Sequence, residues 1–178
     1  MSVFEVRTIG NTSPMGKRGV FFTCYPNDFE ESFKRLIPDV WNVSDCAIYY
    51  TKDPDQAISE QDYKFVEKSV NLLIIPVTTN LLIYPNRALD NDLRFAQKVH
   101  IPILPIMMEP ELTELYSLEK NFGKLQYLDP KDTKITGLSY KEKLSRFLSV
   151  VLIDKENLRA RRTGQRAMWR ALTTWARR

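Results

Sequence analysis

Hydroxyls, carboxylates and one thiol follow the apolar runs of this chain, where an open α/β sheet collects its reactive groups. Thr23, Cys24, Tyr25, Asn27 and Asp28 come at the end of the run that starts at Gly19, and Thr51, Lys52, Asp53 and Asp55 follow Cys46–Tyr50. Thr78, Thr79 and Asn80 follow Leu72–Val77, and Met108 and Glu109 follow Ile101–Met107. Acids such as Asp28 and Asp53 would suit phospho-acceptance, but that chemistry also wants a lysine after the fourth run. Met107-Met108-Glu109 supplies none. No GxGxxG or GxxxxGK[ST] is present to cradle a pyrophosphate, and no GxSxG elbow to present a serine. His100 is the single histidine and stands before the fourth run, at the opposite end, so it reads as a surface or helix-end residue. No spacing of Cys, His and carboxylates suggests zinc. Read from the residues alone, Asp90 and Asp92 are acids near a helix N-terminus, where they favour the dipole. Cys24 is a small buried residue and Tyr25 a packing group of the rim.

The elements that must position these groups are legible in the periodicity. Leu72–Val77 and Ile101–Met107 are continuous apolar runs, the signature of parallel strands covered on both faces. Between them Ala88, Leu89, Leu93, Ala96 and Val99 recur at helical spacing, giving a strand, crossover helix and strand. Gly19–Tyr25 and Cys46–Tyr50 read as two further strands, the first leading into a helix capped by Asn27 or Asp28 and ended or kinked by Pro38. Ser59 caps a helix to about Ser69, with Asp62 three residues on. A short strand near Leu125–Leu128 and a helix from about Tyr140 to Ile153 complete the pattern. Alternation of this kind predicts an α/β fold, a flavodoxin-like doubly wound sheet of about five parallel strands.

Charge divides the chain. Seven arginines and no acid lie from Arg159 onward, and removing them from a net charge of +4 leaves residues 1–158 at −3. The expected organisation is a flexible lead-in over 1–17, a domain over 18–158 and a basic amphipathic tail over 159–178. In that tail Met168, Leu172 and Trp175 form an apolar stripe among arginines, suited to anionic lipid, nucleic acid or a partner. Cys24 and Cys46 lie in apolar segments, no run reaches the roughly 18 apolar residues of a membrane span, and the first residues lack a signal-peptide pattern. Reduced thiols and a cytoplasmic location are expected.

The order of segments resembles the Toll/interleukin-1 receptor (TIR) domain family over roughly residues 18–153. FFTCYPNDFEESF resembles that family's first strand and box 1, CAIYYTKDPD its second strand and BB loop, and NLLIIPVTTNLL with DLRFAQKVHIPILPI its third strand, αC helix and fourth strand. More narrowly, the chain looks like the N-terminal TIR-like module of bacterial multidomain proteins. The resemblance implies signalling and assembly through contacts with other TIR domains, self-association among them, in bacterial antiphage defence. It also implies NAD+ as a substrate rather than a permanently bound cofactor, since many TIR domains cut the nicotinamide–ribose bond. The family does this with a glutamate on αC, whose carboxylate accepts ribose hydroxyls and stabilises an oxocarbenium-like transition state. The matching residue here is Asp92, one methylene shorter, with Asp90 as the alternate. By the same matching Cys24, Tyr25, Asn27, Asp28 and Thr78 fall in the nucleotide pocket. Trp41, Tyr49, Tyr84 and Phe95 read as core aromatics by their spacing, with the walls of that pocket as the alternative, and Asp53, Pro54, Asp55 and Gln56 match the BB loop. The expectation is a TIR-type assembly domain with weak or no catalysis, and NAD+ cleavage as the alternative.

Overall fold

An apolar run without alternation can be a strand only if something covers both of its faces, and the fold does so throughout its centre. The computed structural model describes residues 2–123, 125–131, 137–153 and 165–170. In chain order it forms β1 (Phe4–Arg7), β2 (Gly19–Phe22), α1 (Phe29–Trp41), β3 (Ala47–Thr51), α2 (Glu60–Ser69), β4 (Val70–Val77) and α3 (Thr79–Ile83). Then come α4, π-helical over Ala88–Leu93 and α-helical over Arg94–Lys98, and β5 (Ile103–Met107). Last are α5 (Thr113–Leu118) and α6, α-helical over Tyr140–Leu148 and π-helical over Ser149–Ile153. The strands make one mixed sheet in the order β1-β3-β2-β4-β5. β3, β2, β4 and β5 are parallel, whereas β1 pairs antiparallel with β3, Phe4 opposite Thr51. This is an α/β fold with a mostly parallel sheet, in an order compatible with a flavodoxin-like arrangement.

Alternate residues of each strand feed two separate cores. Val20, Phe22, Leu72, Ile74, Leu104 and Ile106 pack with Phe33, Leu36 and Ile37 of α1 and Leu144, Phe147 and Leu148 of α6. Phe21, Leu73, Ile75, Val77 and Ile103 pack on the other face with Val66 of α2 and Leu89, Leu93 and Ala96 of α4. Ser59 caps α2 as expected, its hydroxyl accepting from the Asp62 N–H at 3.1 Å.

Four expectations need correction. The sheet has four parallel strands rather than five, and its fifth member is β1, inside the stretch expected to be a loose lead-in. The FEVR alternation there is only four residues long, too short to stand out among neighbouring Gly, Asn, Ser and Pro. The strand expected near Leu125–Leu128 shrinks to one parallel bridge between Leu128 and Ile106. Its ladder cannot extend, because the next rungs require an N–H from Pro105 on one side and from Pro130 on the other. Pro38 does not end α1, which continues to Trp41. In the tail, 165–170 is helical, and Met168 sits in the α1–α6 core with Trp169 4.5 Å from the Phe147 ring. Leu172, Trp175 and the rest of the tail lie outside the described residues. No helix among the described residues is long and apolar enough to cross a membrane.

At the start of β2 the chain tolerates no side chain. A Cβ on Gly19 would lie 2.1 Å from the Ser69 carbonyl oxygen, a backbone atom held where α2 turns directly into β4. Gly19→Ala is therefore expected to cost about 1–3 kcal/mol, the range for overpacking a well-filled core. Urea unfolding of the two proteins reads this as a lower midpoint with an unchanged slope.

Candidate functional site

In a sheet of this order the crevice lies beyond the carboxyl ends of β2 and β4, where successive crossovers leave in opposite directions. A buried threonine marks the end of each of three neighbouring strands: Thr51 closes β3, Thr23 follows β2 and Thr78 follows β4. Each hydroxyl is engaged in a network of charged or amide side chains, and two such networks result.

The first centres on Asp92. Its position on α4 lines up with Leu89, Leu93 and Ala96, so the helix turns it inward along the same stripe that builds the core. The residue is 0 % exposed. A carboxylate taken fully out of water must be paired and hydrogen-bonded, and the surrounding elements supply the partners. The Tyr63 hydroxyl on α2 donates to Oδ1 at 2.6 Å. The Thr23 hydroxyl and Arg87 Nε donate to Oδ2 at 2.7 and 3.0 Å. Burial raises the Asp92 carboxyl above the ordinary range, while the Arg87 charge and the hydroxyl donors pull it back down. Burial and the Asp92 charge push the Tyr63 phenol up, and its ring stacks on Phe95 at 4.5 Å. Arg87 uses its remaining donors outward: Nη2 reaches the Thr51 hydroxyl at 3.1 Å and Nη1 the Gln56 carbonyl at 2.6 Å.

The second network lies across the crevice. Asp28, at the head of α1, accepts from the Thr78 hydroxyl at 2.6 Å and from Asn80 Nδ2 at 3.1 Å instead of capping its own helix. Glu109 accepts from the N–H and the hydroxyl of Thr79. The two networks fasten α1, α2, α3 and α4 to the strand ends.

The expected site residues fall into distinct groups. Asp92, Cys24 and Thr78 are buried, while Asp28 and Tyr25 are half-buried at the rim, where Tyr25 meets the exposed Tyr84 with ring centres 5.8 Å apart. Asn27 and Asp90 are exposed, so Asp90 and Asp92 occupy different sides of α4. The expected pocket walls do not converge. Trp41 donates to the Cys46 carbonyl in the α1–α6 core, whereas Tyr49 and Phe95 pack on the opposite face of the sheet. In the loop after β3, Asp53, Asp55 and Gln56 are exposed and Pro54 is half-buried. That loop is folded by Asp53, whose Oδ1 accepts the Asp55 N–H and whose carbonyl accepts the Gln56 N–H, each at 3.0 Å.

Arg87 and Tyr63 are members of the Asp92 network that pattern reading passed over. The available signal was Asp92 itself: an acid on an apolar helical stripe demands a cation, and Arg87 lies five residues upstream. Among the described residues no cluster of three or more His, Cys, Asp or Glu could hold a metal ion. Chemically, Asp92 has no oxygen open to a ligand, so in this arrangement it anchors rather than reacts. A thiol nucleophile is also disfavoured. Burial, then the Asp28 charge, pushes Cys24 up to about 12, and burial does the same for Cys46.

Two outcomes test this assignment. Asp92→Ala leaves the Arg87 charge buried without its partner and is expected to cost about 3–5 kcal/mol of unfolding free energy, read from denaturant titration. With pKa values of about 12, only about one thiol in 10⁴ is ionised at pH 8. Both cysteines are then expected to resist Ellman's reagent in the native protein and to react promptly in guanidinium.

No family model, curated protein or solved structure matches this chain.

Proposed function

We propose that this chain is a signalling and assembly module of the TIR type, with NAD+ cleavage weak or absent. Asp92 is the observation that carries the reading. In the position where the resemblance places a catalytic glutamate, the side chain is 0 % exposed, and Thr23, Tyr63 and Arg87 occupy its oxygens. A general acid, base or charge stabiliser has to lie within hydrogen-bond reach of the substrate. For Asp92 to do so, a donor must leave it: the Tyr63 hydroxyl from Oδ1, or Thr23 and Arg87 from Oδ2. Losing the buried pair costs about 3–5 kcal/mol, which corresponds to about 10²–10⁴-fold in rate, and losing the Tyr63 bond to the buried anion costs about 1.5–3 kcal/mol. The compatible strand order and the order of sequence segments support the TIR reading itself.

Assembly is assigned to the loop after β3. Asp53 and Asp55 stand exposed on it, and Arg87 fixes its shape from beneath through the Gln56 carbonyl. In this reading the arginines of the basic tail of 159–178 are a contact for anionic lipid or nucleic acid, whereas Gln165, Met168 and Trp169 are taken up by the fold.

Incubation of concentrated protein with NAD+, followed by chromatography, separates the two readings. No nicotinamide release is expected from wild type, Asp92→Ala or Asp92→Glu. Release by wild type that disappears in Asp92→Ala would replace the assembly reading with that of a hydrolase. The double variant Asp53→Lys, Asp55→Lys is expected to weaken concentration-dependent self-association in light scattering, at a cost in stability of about 1 kcal/mol for the lost bond from the Asp55 N–H to Asp53.

A further inference from the structure

The two edges of the sheet are treated differently. At β5 the outer edge is covered: Leu128 exchanges bonds with Pro105 and Met107 at 2.8 and 2.9 Å. Further along, the Gln165 side-chain amide imitates a strand, accepting from the Ile103 N–H at 2.6 Å and donating to its carbonyl at 2.9 Å. β1 has no strand beside it on its outer edge among the described residues. There the Phe4 N–H goes to the Ser2 hydroxyl and the Thr8 carbonyl takes the Asn11 N–H, each at 3.2 Å, which leaves Val6 between them as the open residue.

The direction of the β1 backbone follows from its neighbours. Ala47 donates to the Arg18 carbonyl toward β2, and Lys52 donates to Val3 toward β1. Antiparallel alternation then turns the main-chain groups of Glu5 and Arg7 inward to β3 and those of Val6 outward. The Val6 main chain is unpaired on that edge, and its side chain lies on the α2 face, in a groove that is apolar on one side and polar along Ser59, Gln61 and Asp62 on the other. Val6 is 39 % exposed and borders this groove of about 500 Å³, shared with Phe4, Tyr49 and Phe65, the last 38 % exposed. An open edge with an apolar flank is a template for another strand.

The sequence of β1 specifies which strand. Glu5 and Arg7 lie one residue either side of Val6, on the face opposite the groove, where both bond the Tyr50 hydroxyl. If a second copy of β1 runs antiparallel about a two-fold axis through Val6, the two Val6 residues exchange both main-chain bonds. Glu5 then faces Arg7 of the other copy, and Arg7 faces its Glu5. The neighbouring registers in which outward main-chain groups meet are shifted by two residues, and they set Glu5 against Glu5 or Arg7 against Arg7.

We propose that β1 is a homodimer interface, joining two copies edge to edge into one continuous sheet centred on Val6. The surface lies outside the stretch that carries the TIR resemblance and is separate from the loop of residues 53–56. The inference therefore stands independently of the proposed function.

A charge swap tests it by sedimentation velocity across a concentration series. Wild type is expected to dimerise. Glu5→Arg and Arg7→Glu alone each place two like-charged pairs across the axis and should weaken the dimer about tenfold. Mixing the two variants should restore dimers, because each chain then meets its opposite, which also proves that both are folded. Val6→Pro removes the outward N–H without touching the inward ladder and should leave monomer. A monomeric wild type overturns the proposal. So does a dimer indifferent to these changes yet lost in Asp53→Lys, Asp55→Lys, which would leave the loop-mediated assembly standing.

Discussion

A carboxylate with no access to water is stable only where the fold supplies its solvation, and here that requirement organises the carboxyl end of the sheet. Asp92 draws one partner from the end of β2, one from α2 and one from the residue just before α4: Thr23, Tyr63 and Arg87. Each partner is itself fixed. Tyr63 is stacked on Phe95, and Arg87 is shared with Thr51 at the end of β3 and with the Gln56 carbonyl. The ion pair is therefore less a local bond than a point through which β2, β3, α2 and the loop after β3 share one geometry. Hydrophobic burial holds the layers together, but it is tolerant of small rotations. Hydrogen bonds of 2.6–3.0 Å to a buried anion are not.

What could be read in advance follows from which forces leave periodic traces. β2 to β5 were legible because each must be apolar on both faces, and α4 because Leu89, Leu93 and Ala96 repeat with the turn of a helix. The Ser59 cap was legible because a hydroxyl three residues before an acid has a local meaning. β1 was not, since four residues carry little period and their pairing with β3 is settled some 45 residues away. The loss of the strand near Leu128 was present in the sequence, but only in the two prolines and only once the register to β5 is known. Pro38 was misread for a related reason: α1 buries Leu36, Ile37 and Val40 around it, and that packing carries the helix through.

The site was legible in its composition and not in its wiring. Thr23, Asp28, Thr78 and Asp92 were recognisable as groups at strand ends or on the helix that faces them. Which acid meets which hydroxyl depends on distances between elements far apart in sequence, 69 residues for Thr23 and Asp92. Asp28 illustrates the point. By position it is the N-cap of α1, yet it spends its oxygens on Thr78 and Asn80. Local rules assign the cap, and the tertiary fold overrides them.

Arg87 also removes the independence of crevice and loop. One guanidinium serves Asp92 within the fold and Gln56 on the loop. A ligand that takes Asp92 Oδ2 displaces Arg87 Nε, and the planar fork cannot keep its Nη1 on Gln56 while Nε turns away. One that takes Oδ1 displaces only Tyr63. Conversely, a partner that reshapes the loop withdraws the anchor that neutralises Asp92. Occupation of Oδ2 and rearrangement of the loop would both act on this one guanidinium. The shared guanidinium gives the buried pair a structural role, joining loop to helix, that apolar residues of similar volume could not fill.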